Sequence, residues 1–124
     1  MNNNYSMRGF ELKLVNNVIE LRAEGERVAG AERAPASAFT SIAAKIDSHL
    51  ILYDIRSADY KLGELDWEER FRFVARLFKG YRIAYVVRKE QRDIARGACR
   101  AHARNGDKAD VFTSKTRALD WLKN

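Results

Sequence analysis

Residues 49–89, HLILYDIRSADYKLGELDWEERFRFVARLFKGYRIAYVVRK, decide the fold. The stretch opens on HLILYDIR and closes on YRIAYVVRK, two runs in which successive residues, not alternate ones, are apolar. Strands of that kind are buried on both faces and belong in the middle of a parallel sheet. Between them Trp67, Phe71, Val74 and Phe78 recur at helical spacing, and Phe73 and Leu77 widen the stripe. Parallel neighbours need a crossover, and a helix of about a dozen residues supplies one. The stretch therefore reads as a strand over 49–56, a loop SADYKLGEL, a helix beginning near Asp66, and a strand over 81–87. Asp66 with Glu69 three residues on gives a capping-box pattern, Glu68 adds charge at the electropositive helix end, and Gly80 closes the helix.

Upstream, FELKLVNNVIELRAEGE alternates on both sides of Asn16-Asn17: Phe10, Leu12 and Leu14 before it, Ile19, Leu21 and Ala23 after it. Asn tolerates positive φ, so this reads as an antiparallel hairpin with a type I′ turn. Residues 1–8 read as a loose tail, with Met7 a conceivable start. Residues 25–34 have no period, Pro35 suits the first turn of a helix, and Phe39, Ile42, Ala43 and Ile46 mark that helix's inner face. Downstream, KEQRDIARGACRAHARNG reads as a third helix with a thin, small-residue inner edge. KADVF follows as a short strand, and TSKTRALDWLKN as a last helix capped by Thr113 or Ser114, with Ala118, Leu119 and Leu122 inward.

Composition fits one domain over 9–124. The chain has 124 residues, 46% of them hydrophobic, and one Pro, enough for a core without metal or disulfide staples. One Cys excludes an internal disulfide and fits a reducing compartment. The start MNNNYSMRG shows no apolar run behind a basic start, and no later run approaches the length of a membrane span, so the expected location is cytoplasmic. A formal charge of +6 favours anions without specifying a nucleic-acid partner. The fold class expected is α/β: a mixed, mostly parallel central sheet with an N-terminal antiparallel hairpin and about four helices.

The element order, together with AEGERV, ILYDIRS, YRIAYVVRKEQ and the ending VFTSKTRALDWL, resembles the STAS superfamily, in particular its SpoIIAA-like branch. The resemblance covers nearly the whole chain from Phe10. It implies a regulatory or ligand-binding domain with no catalytic centre. In the anti-sigma-factor antagonists of that superfamily, a Ser at the start of the helix after the central strand is phosphorylated by a partner kinase. The matching start here, Leu65-Asp66-Trp67, has no Ser or Thr, and Asp66, Glu68 and Glu69 place fixed negative charge there. The nearest hydroxyl is that of Ser57.

Three surfaces are candidates. The first is the head of the second helix with its preceding loop, around Tyr60, Asp66 and Trp67, as a docking site for a protein partner. The second is the edge beyond the strand ends, where Asp54, Arg56, Ser57, Asp59, Tyr60 and Lys61 meet Arg88 and Lys89. Open parallel sheets bind ligands outside the carboxyl ends of their strands where neighbouring connections diverge, and Arg56, Lys61, Arg88 and Lys89 could hold an anion there. Ordinary polar loops are the plainer explanation. The third is the row Arg92, Arg96, Arg100 and Arg104, which covers one broad helix face. That face could meet nucleic-acid phosphates or an anionic surface, although no aromatic residue interleaves to stack on bases and a solvated face is the simpler account.

No metal site, cofactor or catalytic set is expected. Cys99 and His102 are three apart, but no further Cys or nearby His completes a metal site. Asp54 at a strand end suggests a response regulator, which the initial hairpin argues against. Two functions remain: a non-enzymatic regulatory module that binds a protein, or a carrier or sensor of a small amphipathic or anionic ligand between helices and sheet. The first requires a filled interior and exposed apolar residues near 60–67; the second requires a pocket lined by residues such as Trp67, Phe71 and Tyr85. The hairpin also leaves a sheet edge that could pair across a two-fold axis.

Overall fold

Asn16 and Asn17 take φ of 48° and 67°, the left-handed pair that a type I′ turn requires. They fold strand β2 (Phe10–Val15) antiparallel onto β3 (Val18–Val28), as the alternation predicts. The computed structural model describes residues 4–124, and the remaining elements follow in one chain. They are β1 (Tyr5–Met7), α1 (Arg33–Ala43), β4 (Leu50–Lys61), α2 (Glu64–Leu77), β5 (Arg82–Val86), a 3-10 turn (Lys89–Gln91), α3 (Arg92–Arg104), β6 (Ala109–Phe112) and α4 (Lys115–Lys123).

The six strands lie in chain order. β1, β2 and β3 are antiparallel; β3, β4, β5 and β6 are parallel, so the 50–55 and 83–87 segments lie side by side as expected. Three like-handed crossovers in one direction put α1, α2 and α3 on one face, where Phe39, Val74, Phe78, Ala95 and Ala98 pack on Leu21, Ile51, Tyr53, Ile83 and Tyr85. α4 covers the other face, with Ala118 and Leu122 against Leu52, Ala84 and Val86. Double burial explains the unbroken apolar runs of β4 and β5. No helix among the described residues is long and apolar enough to cross a membrane.

Several boundaries differ from the sequence expectation. Of the tail expected at 1–8, residues 1–3 lie outside the described residues, while Tyr5–Met7 forms β1 on the hairpin's outer edge, with Tyr5 opposite Leu12. Tyr5 and Met7 also pack on the core while Ser6 between them is exposed, an alternation too short to read in the sequence. β3 runs on to Val28 through residues expected to be irregular, because it pairs with β4. Helix α1 stops at Ala43, leaving Ile46 beyond it. Helix α2 starts at Glu64, not near Asp66; the Asp66 carboxylate reaches back to accept the Gly63 N–H at 3.2 Å. The 89–106 helix is split, with its first three residues in the 3-10 turn. Ser114, not Thr113, caps α4, accepting the Arg117 N–H at 3.3 Å.

The largest difference is in β4, which continues five residues past Arg56. Arg22 pairs with Asp54 but Glu24 pairs with Ser57, so β4 carries one extra residue, a bulge. Ile51, Tyr53 and Ile55 face the three helices; after the bulge Ala58 and Tyr60 do so. Asp54 fixes the bulge by accepting the Arg56 N–H at 3.0 Å and the guanidinium at 2.9 and 3.0 Å. Partial burial pushes the Asp54 carboxyl up, but these bonds and the Arg56 charge win and hold it below its ordinary value. β5 ends before this part of β4, whose carbonyls would otherwise lack donors. Gln91 supplies Ile55 and Ala58 at 2.9 and 3.1 Å, and Arg88 donates to Arg56 and Ala58.

The small inner edge of α3 serves close approach on two sides, Ala95 and Ala98 to the sheet and Gly97 to α2. A Cβ on Gly97 would stand 2.5 Å from the Phe71 ring. In an open helix Gly→Ala would gain about 1 kcal/mol. Here we expect Gly97→Ala to lose about 1–2 kcal/mol in urea denaturation, with part recovered by adding Phe71→Leu.

His102 is fully enclosed, its Nε2 lies 2.7 Å from the Tyr85 hydroxyl, and its ring faces Phe78. Burial lowers its pKa from 6.5 to about 4, opposed in part by Asp107. The unfolded chain therefore takes up this proton at a higher pH than the fold does, so stability falls as pH drops through the 6.5-to-4 window. We expect a loss of up to about 3 kcal/mol across it. Denaturation midpoints against pH check this: the slope should be absent from His102→Gln, and an equal slope in that variant would contradict it.

Candidate functional site

The extension of β3 and β4 beyond the helix-covered core brings five polar side chains together under α2. Arg27 continues the inward period of Ile19, Leu21 and Ala23 along β3, and Tyr53 and Tyr60 point inward from β4 on either side of the bulge. Glu32 immediately precedes α1, and Arg70 sits on the inner stripe of α2, three residues after Trp67 and four before Val74. The side chains of Arg27 and Arg70 are only 7% and 12% exposed.

One carboxylate serves both guanidinium groups. Glu32 Oε1 accepts from Arg27 Nε and Nη2 at 3.3 and 3.1 Å and lies 3.3 Å from Arg70 Nη1, while Oε2 accepts the Tyr53 hydroxyl at 3.3 Å. The remaining donors go to neutral oxygens. Arg70 Nη2 reaches the Tyr60 hydroxyl at 3.1 Å, and Arg27 reaches the carbonyls of Gly9 and Ala31 at 3.2 and 3.4 Å. The Arg70 guanidinium also lies 4.8 Å from the Tyr60 ring centre. Burial raises both tyrosines, and Glu32 pushes in the same direction, so both stay neutral donors and acceptors. For Arg70 burial alone would lower the pKa, but the Glu32 carboxylate and the hydrogen bond to Tyr53 oppose it, and the guanidinium keeps its charge.

Above this cluster lies an open groove of about 500 Å³ between residues 28–33 and the head of α2. Val28, Arg33, Leu62, Asp66, Glu69 and Phe73 line it, and Arg70 forms part of its floor. The large hydrophobics exposed among the described residues are Val28, at 51%, and Leu65, at 81%; one lines the groove and the other precedes Asp66 at its head. The interior beneath is filled. Trp67 packs on Tyr60 and Phe71 at ring distances of 5.3 and 5.8 Å. The space left beside Trp67, Phe71 and Tyr85 is about 20 Å³, room for about one water and far too little for an amphipathic ligand.

The ten residues singled out in the sequence fall into separate places. Asp66 heads the groove and Trp67 packs beneath it with Tyr60. Asp59 and Lys61 are exposed at the end of β4, 3.3 Å apart. Asp54, Arg56 and Ser57 face the α4 side, where they line a polar concavity of about 290 Å³ with Glu20, Arg22 and Lys115. Lys115 there binds Glu20 at 2.9 Å. Arg88 bonds the Glu90 carboxylate at 2.8 Å besides the β4 carbonyls, and Lys89 is exposed. Of the four cations expected to gather for an anion, Arg56, Lys61 and Arg88 each carry a carboxylate already. The strands also lie in chain order, so neighbouring connections do not diverge and the switch-point argument for that edge lapses.

Arg27, Glu32 and Arg70 were not singled out from the sequence. Their signal was periodicity broken by charge: an Arg on the inner stripe of an apolar helix, and another in phase with the buried residues of a strand. Among the described residues, no three His, Cys, Asp or Glu side chains gather to hold a metal ion.

Two solved structures share this fold along most of their length. One is an uncharacterized protein from Shewanella loihica PV-4, of the DUF3478 family, with a SpoIIAA-like fold; it covers 91% of each chain at a TM-score of 0.65 and 19% identity. This chain has a SpoIIAA-like fold. The other is an anti-sigma factor antagonist from Mycobacterium paratuberculosis, covering 93% of each chain at a TM-score of 0.63 and 12% identity. No protein-family model and no curated protein matches the sequence. At these identities the likeness is one of architecture, and it agrees with the STAS-like resemblance carried by the residues.

The shared carboxylate makes Glu32 the weak point of the SpoIIAA-like core. Glu32→Gln leaves two buried cations facing each other and should cost roughly 3–5 kcal/mol in chemical denaturation. Adding Arg70→Met should restore part of that loss. A double variant less stable than Glu32→Gln alone would contradict the arrangement.

Proposed function

We propose that this domain is a non-enzymatic regulatory module that docks a protein partner at the groove between residues 28–33 and the head of α2. The observation that carries the reading is the contrast between a closed interior and an exposed apolar rim. About 20 Å³ remains beside Trp67, Phe71 and Tyr85, too little for an amphipathic ligand, whereas Val28 stands in solvent on the groove wall and Leu65 in solvent beside Asp66 at its head. A large side chain kept exposed at a helix head, ringed by Glu64, Asp66, Glu68 and Glu69, fits a partner that offers an apolar contact with basic flanks.

The fold supports the reading, since one neighbour of the same architecture is an anti-sigma factor antagonist. The head of α2, Gly63-Glu64-Leu65-Asp66, carries no hydroxyl, so a phosphate-controlled switch at that point has no acceptor here. Fixed carboxylates occupy the electropositive helix end instead, and docking there is constitutive. Phosphate found on Ser57 in protein isolated from cells would speak against constitutive docking.

Leu65→Asp and Asp66→Arg test the site. Leu65 makes no buried contact, so Leu65→Asp should keep the fold and abolish capture of one specific partner from native lysate, and Asp66→Arg should do the same at a cost of about 1 kcal/mol from the lost helix-head bond. Native mass spectrometry of the purified chain should give the polypeptide mass alone. An unchanged set of captured proteins together with a co-purifying small molecule would replace this reading with the carrier function.

A further inference from the structure

Helices α2 and α3 lie side by side and point the same way, each crossing between parallel strands on one face of the sheet. Cross-links hold them in register: the Phe71 ring sits against Gly97, Asn105 Nδ2 donates to the Ala75 carbonyl at 3.1 Å, and Lys79 Nζ donates to the Asn105 carbonyl at 3.0 Å. Their outward residues therefore share one surface. From α2 and its end come Arg72, Arg76 and Lys79; from α3 come Arg92, Arg96, Arg100 and Arg104, all exposed. Of these, only Arg96 has a carboxylate within ion-pair distance among the described residues, the exposed Asp93 at 3.6 Å.

Helix electrostatics do not account for this face. Cations are favoured in a last turn, but Arg92 is the first residue of α3, and Arg72 and Arg96 are internal. Like charges four residues apart also repel. Nor is it a general property of the helical layer, since α1 turns Ser37, Thr40 and Ser41 outward. The chain keeps a concentration of guanidinium groups that its own fold does not use.

We propose that this face adsorbs to an anionic lipid bilayer, with the arginines meeting headgroup phosphates. Guanidinium is the side chain best matched to phosphate oxygens. The cations spread over two parallel helices about 10 Å apart, which suits a broad planar array of charge. No aromatic residue on the face could stack on bases. Among the described residues the exposed large hydrophobics are Val28, on the groove wall, and Leu65, beside its head, so contact is electrostatic and without insertion. Along α2 the acids Glu64, Asp66, Glu68 and Glu69 fill the first turns and the bases Arg72, Arg76 and Lys79 the later part and end. An anionic surface would draw in the basic end of α2, with Arg96, Arg100 and Arg104 beside it, and turn the acidic end outward.

Flotation of the full chain with vesicles tests this, using phosphatidylcholine alone and a mixture containing about one-third phosphatidylglycerol at low salt. Binding to the anionic vesicles only, lost at roughly 0.5 M salt, is the expected result. Each arginine removed should weaken partition roughly fivefold, so Arg96→Ser/Arg100→Ser/Arg104→Ser should weaken it on the order of 100-fold. Arg100→Ser alone gives the fivefold reading should the triple variant lose structure by circular dichroism. Lys13→Ser/Arg117→Ser/Lys123→Ser removes the same charge from the opposite side and should bind like wild type. Absence of binding to anionic vesicles, equal loss in that control, or displacement from vesicles by duplex DNA at equal phosphate would each overturn the proposal.

Discussion

The constraint on which the structure depends is that β4 must stay paired and buried on both faces along its first half and then change phase without leaving the sheet. A strand's side chains alternate, so an added residue sends everything after it to the opposite face. β4 inserts that residue at the bulge, and Ala58 and Tyr60 resume the inward set begun by Ile51, Tyr53 and Ile55. Asp54 satisfies the displaced Arg56 amide, while Gln91 and Arg88 supply donors to carbonyls that β5 is too short to reach. The continued pairing carries β3 out to Arg27. Without the bulge, Tyr60 would face away from Arg70, and the polar cluster and groove floor would not form.

The cluster gathers two cations, one carboxylate and two neutral phenols in a largely buried space. Such a group is kept at an energetic disadvantage unless every donor finds an acceptor. Here it ties the residues before α1, two strands and α2 into one unit, so the walls of the groove cannot separate freely. A rigid concavity with exposed Leu65 and Val28 at its margins suits recognition of a protein better than enclosure of a small molecule. That is the physical content of the proposed docking role. The basic helical face is a separate property, carried by residues that touch neither cluster nor groove.

Much of the architecture was legible in the sequence because burial on two faces writes unbroken apolar runs and burial on one writes alternation. The runs around 50–55 and 83–87 identified the parallel centre, Asn16-Asn17 identified the hairpin turn, and the stripe from Trp67 to Phe78 identified the crossover helix. β1 is three residues long, too short to show a period, and was missed. The second half of β4 is hidden in the sequence because the bulge breaks alternation after Arg56, and Ser57 and Asp59 then look like loop. For the same reason the site was only half visible. Asp66, Trp67 and Tyr60 could be placed near one another, but Arg27 and Glu32 join them only once both strands extend past Arg56. Of the cations expected to hold an anion, Arg56, Lys61 and Arg88 already lie against carboxylates, a pairing that the order of charges along the chain does not reveal.

Amide hydrogen exchange at Ala58, Asp59, Tyr60 and Lys61 tests the bulged extension of β4 most directly, since these residues separate a paired strand from a surface loop. If the strand continues beside Gly25–Val28 as described, the amides bonded to β3 exchange orders of magnitude more slowly than an unstructured chain, though faster than the core around Tyr53. Exchange across all four positions at the rate of an unstructured chain would mean that β4 ends at Arg56, and the cluster beneath the groove would have no basis.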